Sequence, residues 1–142
     1  MIVGLLEYLA SLTHWPERVN TMQANWFGRS EGARVVFTER DGGTELPVFT
    51  TRPDTLFGVT FMVIAPEHSL VPELVAGRPE AAAVQAYAER ARRMSERDRT
   101  GTDRAKTGVR TGRFALNPVN GEAVPLFVAD YVLAGYGTGI VM

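Results

Sequence analysis

The ten residues Phe49-Thr50-Thr51-Arg52-Pro53-Asp54-Thr55-Leu56-Phe57-Gly58 constrain the fold more tightly than any other part of the chain. One apolar run, Leu46 to Thr50, ends in adjacent threonines, and a second runs from Phe57 to Ala65. Pro53 fixes its own φ and pushes Arg52 out of the helical region, so the chain must turn between the two runs. Three short hydroxyls, one cation and one anion are gathered in the six residues Thr50 to Thr55. A threonine hydroxyl is a poor nucleophile near neutral pH unless a base adjoins it. The chain has no cysteine, and its histidines are His14 and His68. The segment therefore points to a site that binds a polar substrate and positions water, without covalent catalysis.

Hydrophobic periodicity places this turn in a strand-rich domain. Leu5 to Leu12 has apolar residues at helical spacing, and Pro16 suits the first turn of a second helix reaching about Trp26. Val19, Met22 and Trp26 would form its apolar stripe, with Gly28 and Gly32 marking the exit. Arg34–Thr38 and Leu46–Thr50 read as strands of a hairpin about the Asp41-Gly42-Gly43 turn. Phe57 to Ala65 reads as one strand buried on both faces. A short helix at Pro66–Ala76 follows, then a clear one at Pro79–Met94 with Val84, Tyr87 and Ala91 on one face. Short strands return at Arg113–Leu116, Ala123–Ala129 and Thr138–Met142. The expected class is α+β, a β-barrel-like core with peripheral helices. Residues 1–27 read as a helical linker and 28–142 as the domain proper.

Charge narrows the function. A domain that holds RNA unaided shows a basic face and a cationic excess, whereas the formal net charge here is −1. The densest basic stretch, Arg90 to Lys106, is interrupted by Glu96, Asp98 and Asp103 and reads as a solvated face. No apolar run approaches the roughly 20 residues that span a bilayer, and Met1–Leu6 lacks a signal-peptide pattern. These features predict a soluble, cytoplasmic chain with no membrane partner.

Single motifs have ordinary readings too. Thr-Thr-Arg-Pro-Asp-Thr is compatible with a plain turn after a strand. Gly135-Tyr136-Gly137-Thr138-Gly139 is compatible with a glycine turn or bulge, and its spacing is wrong for a dinucleotide fingerprint. His68, in Pro66-Glu67-His68, reads as solvated or capping rather than catalytic.

Their conjunction carries more. Phe49–Gly58 resembles the threonine-rich signature of the editing domain of leucyl-tRNA synthetase, the connective-polypeptide insertion of that class I enzyme. Trp15–Val19 with Met22–Gly32 resembles the entry to that insertion. Asn117–Gly121, Val128–Leu133 and Gly135–Met142 resemble its later half. The matches run in the family's order along nearly the whole chain.

The resemblance implies a fold built round a β-barrel and an activity: hydrolysis of the ester in mischarged leucine tRNA, carrying for example isoleucine or norvaline. It assigns Thr50 and Thr51 to the terminal ribose and the groups near the ester. Thr55 is implied as the sieve against leucine's branched end, and the three threonines are the implied catalytic residues. Arg52, on the phosphate side, and Asp54 are implied substrate contacts. Tyr136, Gly137 and Thr138 would line the pocket, and Met142 would pack near the substrate. Water is the implied nucleophile, and neither metal nor cofactor is implied for this domain; ATP and magnesium belong to the full-length enzyme. The implied partners are the tRNA acceptor end and the remainder of the synthetase.

In the family the motif that ends here at Met142 continues through an Ala-Val-Pro turn to a His-Asp and a further aspartate, which grips the substrate's α-ammonium. On that comparison the chain is C-terminally truncated, and the isolated chain is expected to be weakly active or inactive. An uncovered apolar edge at Gly137–Met142 would favour a dimer. A non-catalytic RNA-binding or accessory module, or a structural fragment of the same fold, stands as the alternative.

Overall fold

Alternating burial along two short strands starts the architecture. In β1 (Ala33–Glu39) and β2 (Glu45–Thr50), Phe37, Leu46 and Val48 turn inward. The strands pair antiparallel with Val35 opposite Val48, as the period-2 pattern requires. The computed structural model describes residues 14–27, 31–101 and 104–142 together with Tyr8 and Ser11, with side chains except at 24–27. The chain divides into two compact units, Met1–Glu31 and Gly32–Met142.

The first unit holds α1 (Glu17–Phe27). Pro16 precedes it, and its carbonyl accepts from Val19 N (2.8 Å) and Asn20 N (3.2 Å). Val19 and Met22 of the predicted stripe are exposed, and the Trp26 side chain and Gly28 lie outside the described residues. So does the predicted helix at Leu5–Leu12, apart from Tyr8 and Ser11.

In the second unit the described strands form one sheet in the order β2-β1-β4-β5-β3-β6. These are β3 (Met62–Ile64), β4 (Val109–Leu116), β5 (Ala123–Val128) and β6 (Ile140–Val141). β3 runs parallel to β5 and antiparallel to β6, and β6 lies beside β2, so the sheet nearly closes on itself. Its interior holds Phe37, Leu46, Val48, Met62, Ile64, Leu126, Val128 and Ile140. Leu74 and Val75 of α2 (Val71–Val75) and Val84 and Tyr87 of α3 (Ala81–Arg92) pack into the same core, both helices lying against β4. The expected barrel-like α+β domain is what forms.

Three predicted elements shorten markedly on folding, while the strand expected at Arg113–Leu116 starts earlier, at Val109. The strand expected over Phe57–Ala65 shrinks to Met62–Ile64, because Pro53–Gly58 winds into a 3₁₀ turn that takes Phe57 with it. Phe57 and Phe61 are exposed. The helix expected at Pro66–Ala76 covers only Val71–Val75, and the strand expected at Thr138–Met142 covers only Ile140–Val141.

The basic stretch is also not wholly a solvated face. Ser95 caps α4 (Glu96–Thr100), its hydroxyl accepting from Asp98 N (3.2 Å), and the helix turns Arg99 inward to 6% exposure. Arg99 donates to the carbonyls of Asp130 (2.6 Å) and Val132 (2.9 Å) and pairs with Glu67. A buried guanidinium is tolerated because a planar fork can serve several acceptors at once. Arg99→Ala strands these acceptors and should lower unfolding free energy by about 3 kcal/mol in denaturant titration. Arg99→Lys should recover only part, since one ammonium cannot reach all three groups. A loss below about 1 kcal/mol for the alanine variant would show that this node does not hold the domain.

Candidate functional site

The threonine-rich turn organises itself through short local bonds. Thr50 ends β2, and its hydroxyl accepts from Arg52 N (3.0 Å). The Arg52 carbonyl accepts twice from Thr55, from N at 3.2 Å and from Oγ1 at 2.8 Å. Such side-chain bonds to nearby backbone are what threonine offers at a turn. Arg52 and Asp54 meet as a fork, Nε to Oδ1 at 3.0 Å and Nη2 to Oδ2 at 2.8 Å. Their side chains are 70% and 62% exposed. The guanidinium holds the Asp54 carboxyl below the usual carboxylate range, and the carboxylate raises Arg52 in turn. An exposed pair of this kind contributes little stability, so Arg52 can be recruited by a phosphate at small cost.

Two contacts set the position of the turn. Gly32 lies so close to the end of β2 that a Cβ there would stand 2.5 Å from the Thr50 carbonyl oxygen and 2.7 Å from the Phe49 ring. Only glycine permits that approach. On the other side Leu56 is buried, and its carbonyl accepts from Asn117 Nδ2 at 2.7 Å. Asn117 is 1% exposed and also accepts from Val119 N at 3.1 Å through Oδ1. The Asn-Pro-Val-Asn-Gly string signals its own turn; nothing in it announces that its first amide reaches Leu56.

The second predicted segment is the loop before β6. Gly137 (φ +59°) and Gly139 (φ +70°) occupy the left-handed region that glycine favours. Gly139 N donates to the Tyr136 carbonyl (3.0 Å), Ala65 N to the Gly139 carbonyl (2.9 Å) and Thr138 Oγ1 to the Ile140 carbonyl (3.2 Å). Tyr136 is 80% exposed, whereas Met142 packs half-buried against the main core.

The predicted site residues therefore fall into two groups. Thr50, Arg52, Asp54 and Thr55 form one bonded cluster, with Thr51 exposed beside them. Tyr136, Gly137, Thr138 and Met142 flank β6, which lies beside β2. Neighbouring strands thus carry both groups. The chemistry on offer is hydroxyl hydrogen bonding, one exchangeable cation and backbone amides. Among the described residues, no three His, Cys, Asp or Glu side chains cluster as metal ligands would.

Asn117→Ala should cost about 1–3 kcal/mol, because the buried Leu56 carbonyl loses its short donor and keeps only the long 3.4 Å bond from Val59 N. Hydrogen exchange at Val59 N, bonded to the same carbonyl, should quicken with it. Unchanged stability and exchange would show that Gly32 and packing alone seat the turn.

Comparison with known proteins bears on the whole chain. The family model for the leucyl-tRNA synthetase editing domain matches residues 24–142. The leucine–tRNA ligase of Synechococcus sp. (strain JA-3-3Ab) is 59% identical over 138 residues, 97% of this chain and 16% of its own length. That of Rubrobacter xylanophilus is 59% identical over 128 residues, covering 90% of this chain and 15% of its own. A crystal structure of the Agrobacterium radiobacter K84 agnB2 LeuRS–tRNA–LeuAMS ternary complex superposes with a TM-score of 0.81 at 42% identity. It covers 99% of this chain and 17% of that one. The chain thus spans about a sixth of the relatives it matches.

Proposed function

This chain belongs to the leucyl-tRNA synthetase editing-domain family, and from that premise we propose that, as part of the full synthetase, it hydrolyses the ester of mischarged leucine tRNA. The observation that carries the reading is the exposed, internally bonded turn Thr50–Thr55 at the end of β2. A pocket that accepts leucine discriminates against similar aliphatic residues by only about 1–3 kcal/mol per methylene. A second, hydrolytic site answers that limit, and synthetases are the standard example of it.

In the proposed reaction water adds to the ester carbonyl and the ester C–O bond breaks. The amino acid leaves as a free carboxylate and the terminal adenosine regains its hydroxyl. Thr50 and Thr51 hydrogen-bond the ribose and the groups beside the ester. Arg52 exchanges Asp54 for a phosphate oxygen, with Asp54 holding the guanidinium aligned until then. Tyr136, Gly137 and Thr138 line the opposite wall, and Met142 supplies apolar contact. This segment needs no cofactor; ATP and magnesium serve adenylate formation elsewhere in the synthetase. The net charge of −1 places most of the electrostatic grip on tRNA outside this segment. A tRNA complex of a relative, solved as LeuRS–tRNA–LeuAMS, supports tRNA and the remaining synthetase as partners.

Thr55 is the proposed sieve. Its β-branch limits χ1, and the 2.8 Å bond to the Arg52 carbonyl fixes the remaining choice, so its methyl forms a stationary wall. In the full synthetase carrying this segment, Thr55→Ala should hydrolyse leucyl-tRNA about tenfold faster or more than wild type, the range one methylene-sized contact commands. Thr55→Tyr should fill the space and let isoleucyl-tRNA survive. The assay is deacylation of both charged tRNAs at one salt concentration. An alanine variant that spares leucyl-tRNA as well as wild type does would make Thr55 a turn residue only.

A further inference from the structure

The carbonyl of Thr138 is caught by a side chain from 70 residues earlier: His68 Nε2 lies 3.2 Å from it. A carbonyl can only accept, so Nε2 carries the proton. His68 Nδ1 in turn accepts from Leu70 N at 3.2 Å, which leaves that nitrogen unprotonated. The two contacts together select one neutral tautomer and fix the ring plane. The ring is seated on its own backbone as well, with His68 N donating to the Ala65 carbonyl (3.0 Å) and Val71 N to the His68 carbonyl (3.1 Å).

Shape agrees with hydrogen bonding. A Cβ built on Gly139 would stand 3.0 Å from His68 Cδ2 and 3.1 Å from Ala134 Cα. The imidazole thus occupies the space beside Gly139 that a side chain there would need. Thr138 lies between two glycines at positive φ, where backbone restraint is weakest. Backbone bonds hold the loop at Tyr136 and Gly139, and the His68 contact adds a restraint on the Thr138 carbonyl, which the Thr138 hydroxyl's own bond to the Ile140 carbonyl does not supply.

We propose that His68 is a positioning residue for the editing reaction: its Nε2–H sets the Thr138 backbone, and hence the pocket wall facing the threonine turn. This rests on the editing reading above. The ring touches no substrate; it acts through Thr138. Because the tRNA is gripped mainly elsewhere, a displaced wall should show in the chemical step more than in binding.

The test separates the two nitrogens in the full synthetase. Asparagine places an acceptor where Nδ1 stands and can keep the Leu70 contact, but it is too short for Thr138. Glutamine can place a donor where Nε2 stands. His68→Ala and His68→Asn should lower kcat for deacylation of isoleucyl-tRNA about tenfold or more, with KM within about twofold. His68→Gln should stay within about threefold of wild type in kcat. Amide hydrogen exchange at Gly137–Ile140, read without any substrate, should quicken in the alanine and asparagine variants and stay slow in the glutamine variant. Melting temperatures identify any variant that loses the fold, and the Gln–Asn contrast stands without the alanine variant. Rescue by asparagine as good as by glutamine, or an alanine variant equal to wild type in both readouts, would overturn the proposal and make His68 a local cap. A wild-type synthetase that leaves isoleucyl-tRNA intact would instead overturn the editing reading, while the exchange experiment would still decide the positioning of Thr138.

Discussion

Closure of the sheet passes through three residues. Met62, Val63 and Ile64 form a short strand paired parallel with β5 on one side and antiparallel with β6 on the other, joining the two. Met62 and Ile64 point into the barrel interior, and Val63 joins Ala65, Ala129 and Val132 in a second apolar cluster. Such a strand has no solvent face, which explains its uninterrupted apolar composition. Because β6 is held by β3, it lies beside β2, and the two halves of the candidate site become neighbours. Remove that short pairing and the threonine turn keeps its local bonds but loses its opposite wall.

One physical solution recurs in the loops that carry chemistry. These loops lie outside the strand ladders, so their carbonyls need partners from elsewhere. Asn117 supplies one to Leu56, His68 to Thr138, and Arg99 to Asp130 and Val132. Each donor comes from a distant part of the chain and is itself held by a second contact. Rigid placement of otherwise irregular backbone is what a site that orients water and an ester requires, since small displacements cost large factors in rate. Arg52 and Asp54 differ in kind. They are exposed, and among the described residues their side chains form an ion pair with each other, as suits the partner exchange proposed for Arg52.

Electrostatics divide the labour between this segment and the rest of its enzyme family. Arg90, Arg92, Arg93 and Arg97 lie on the surface, while Arg99 is consumed in the interior and Arg104 is paired with Asp130 (2.7 Å). With a net charge of −1, the segment lacks the cationic excess of a domain that holds RNA unaided. Under the proposed editing reading, specificity rests on the shape of Thr55 and the hydrogen bonds around it rather than on charge.

Much of this was legible in the residues alone. The hairpin about Asp41-Gly42-Gly43, the helix over Val84, Tyr87 and Ala91, the barrel-like class and the threonine turn all follow from periodicity, turn chemistry and the family resemblance. These are local properties, set by neighbours within a few positions. What periodicity misjudged was extent: Phe57 and Phe61 look like strand residues until the 3₁₀ turn claims one and exposure claims both. Arg99 looked solvated because nothing nearby in sequence shows Glu67 or the Asp130 carbonyl waiting for it. His68 looked like a cap, which it is toward Leu70, but its other nitrogen answers to Thr138. Local chemistry therefore determined which residues could build a site. Only the closed sheet decided where they stand, because a hydrogen bond across 61 or 70 positions leaves no periodic trace for a sequence to display.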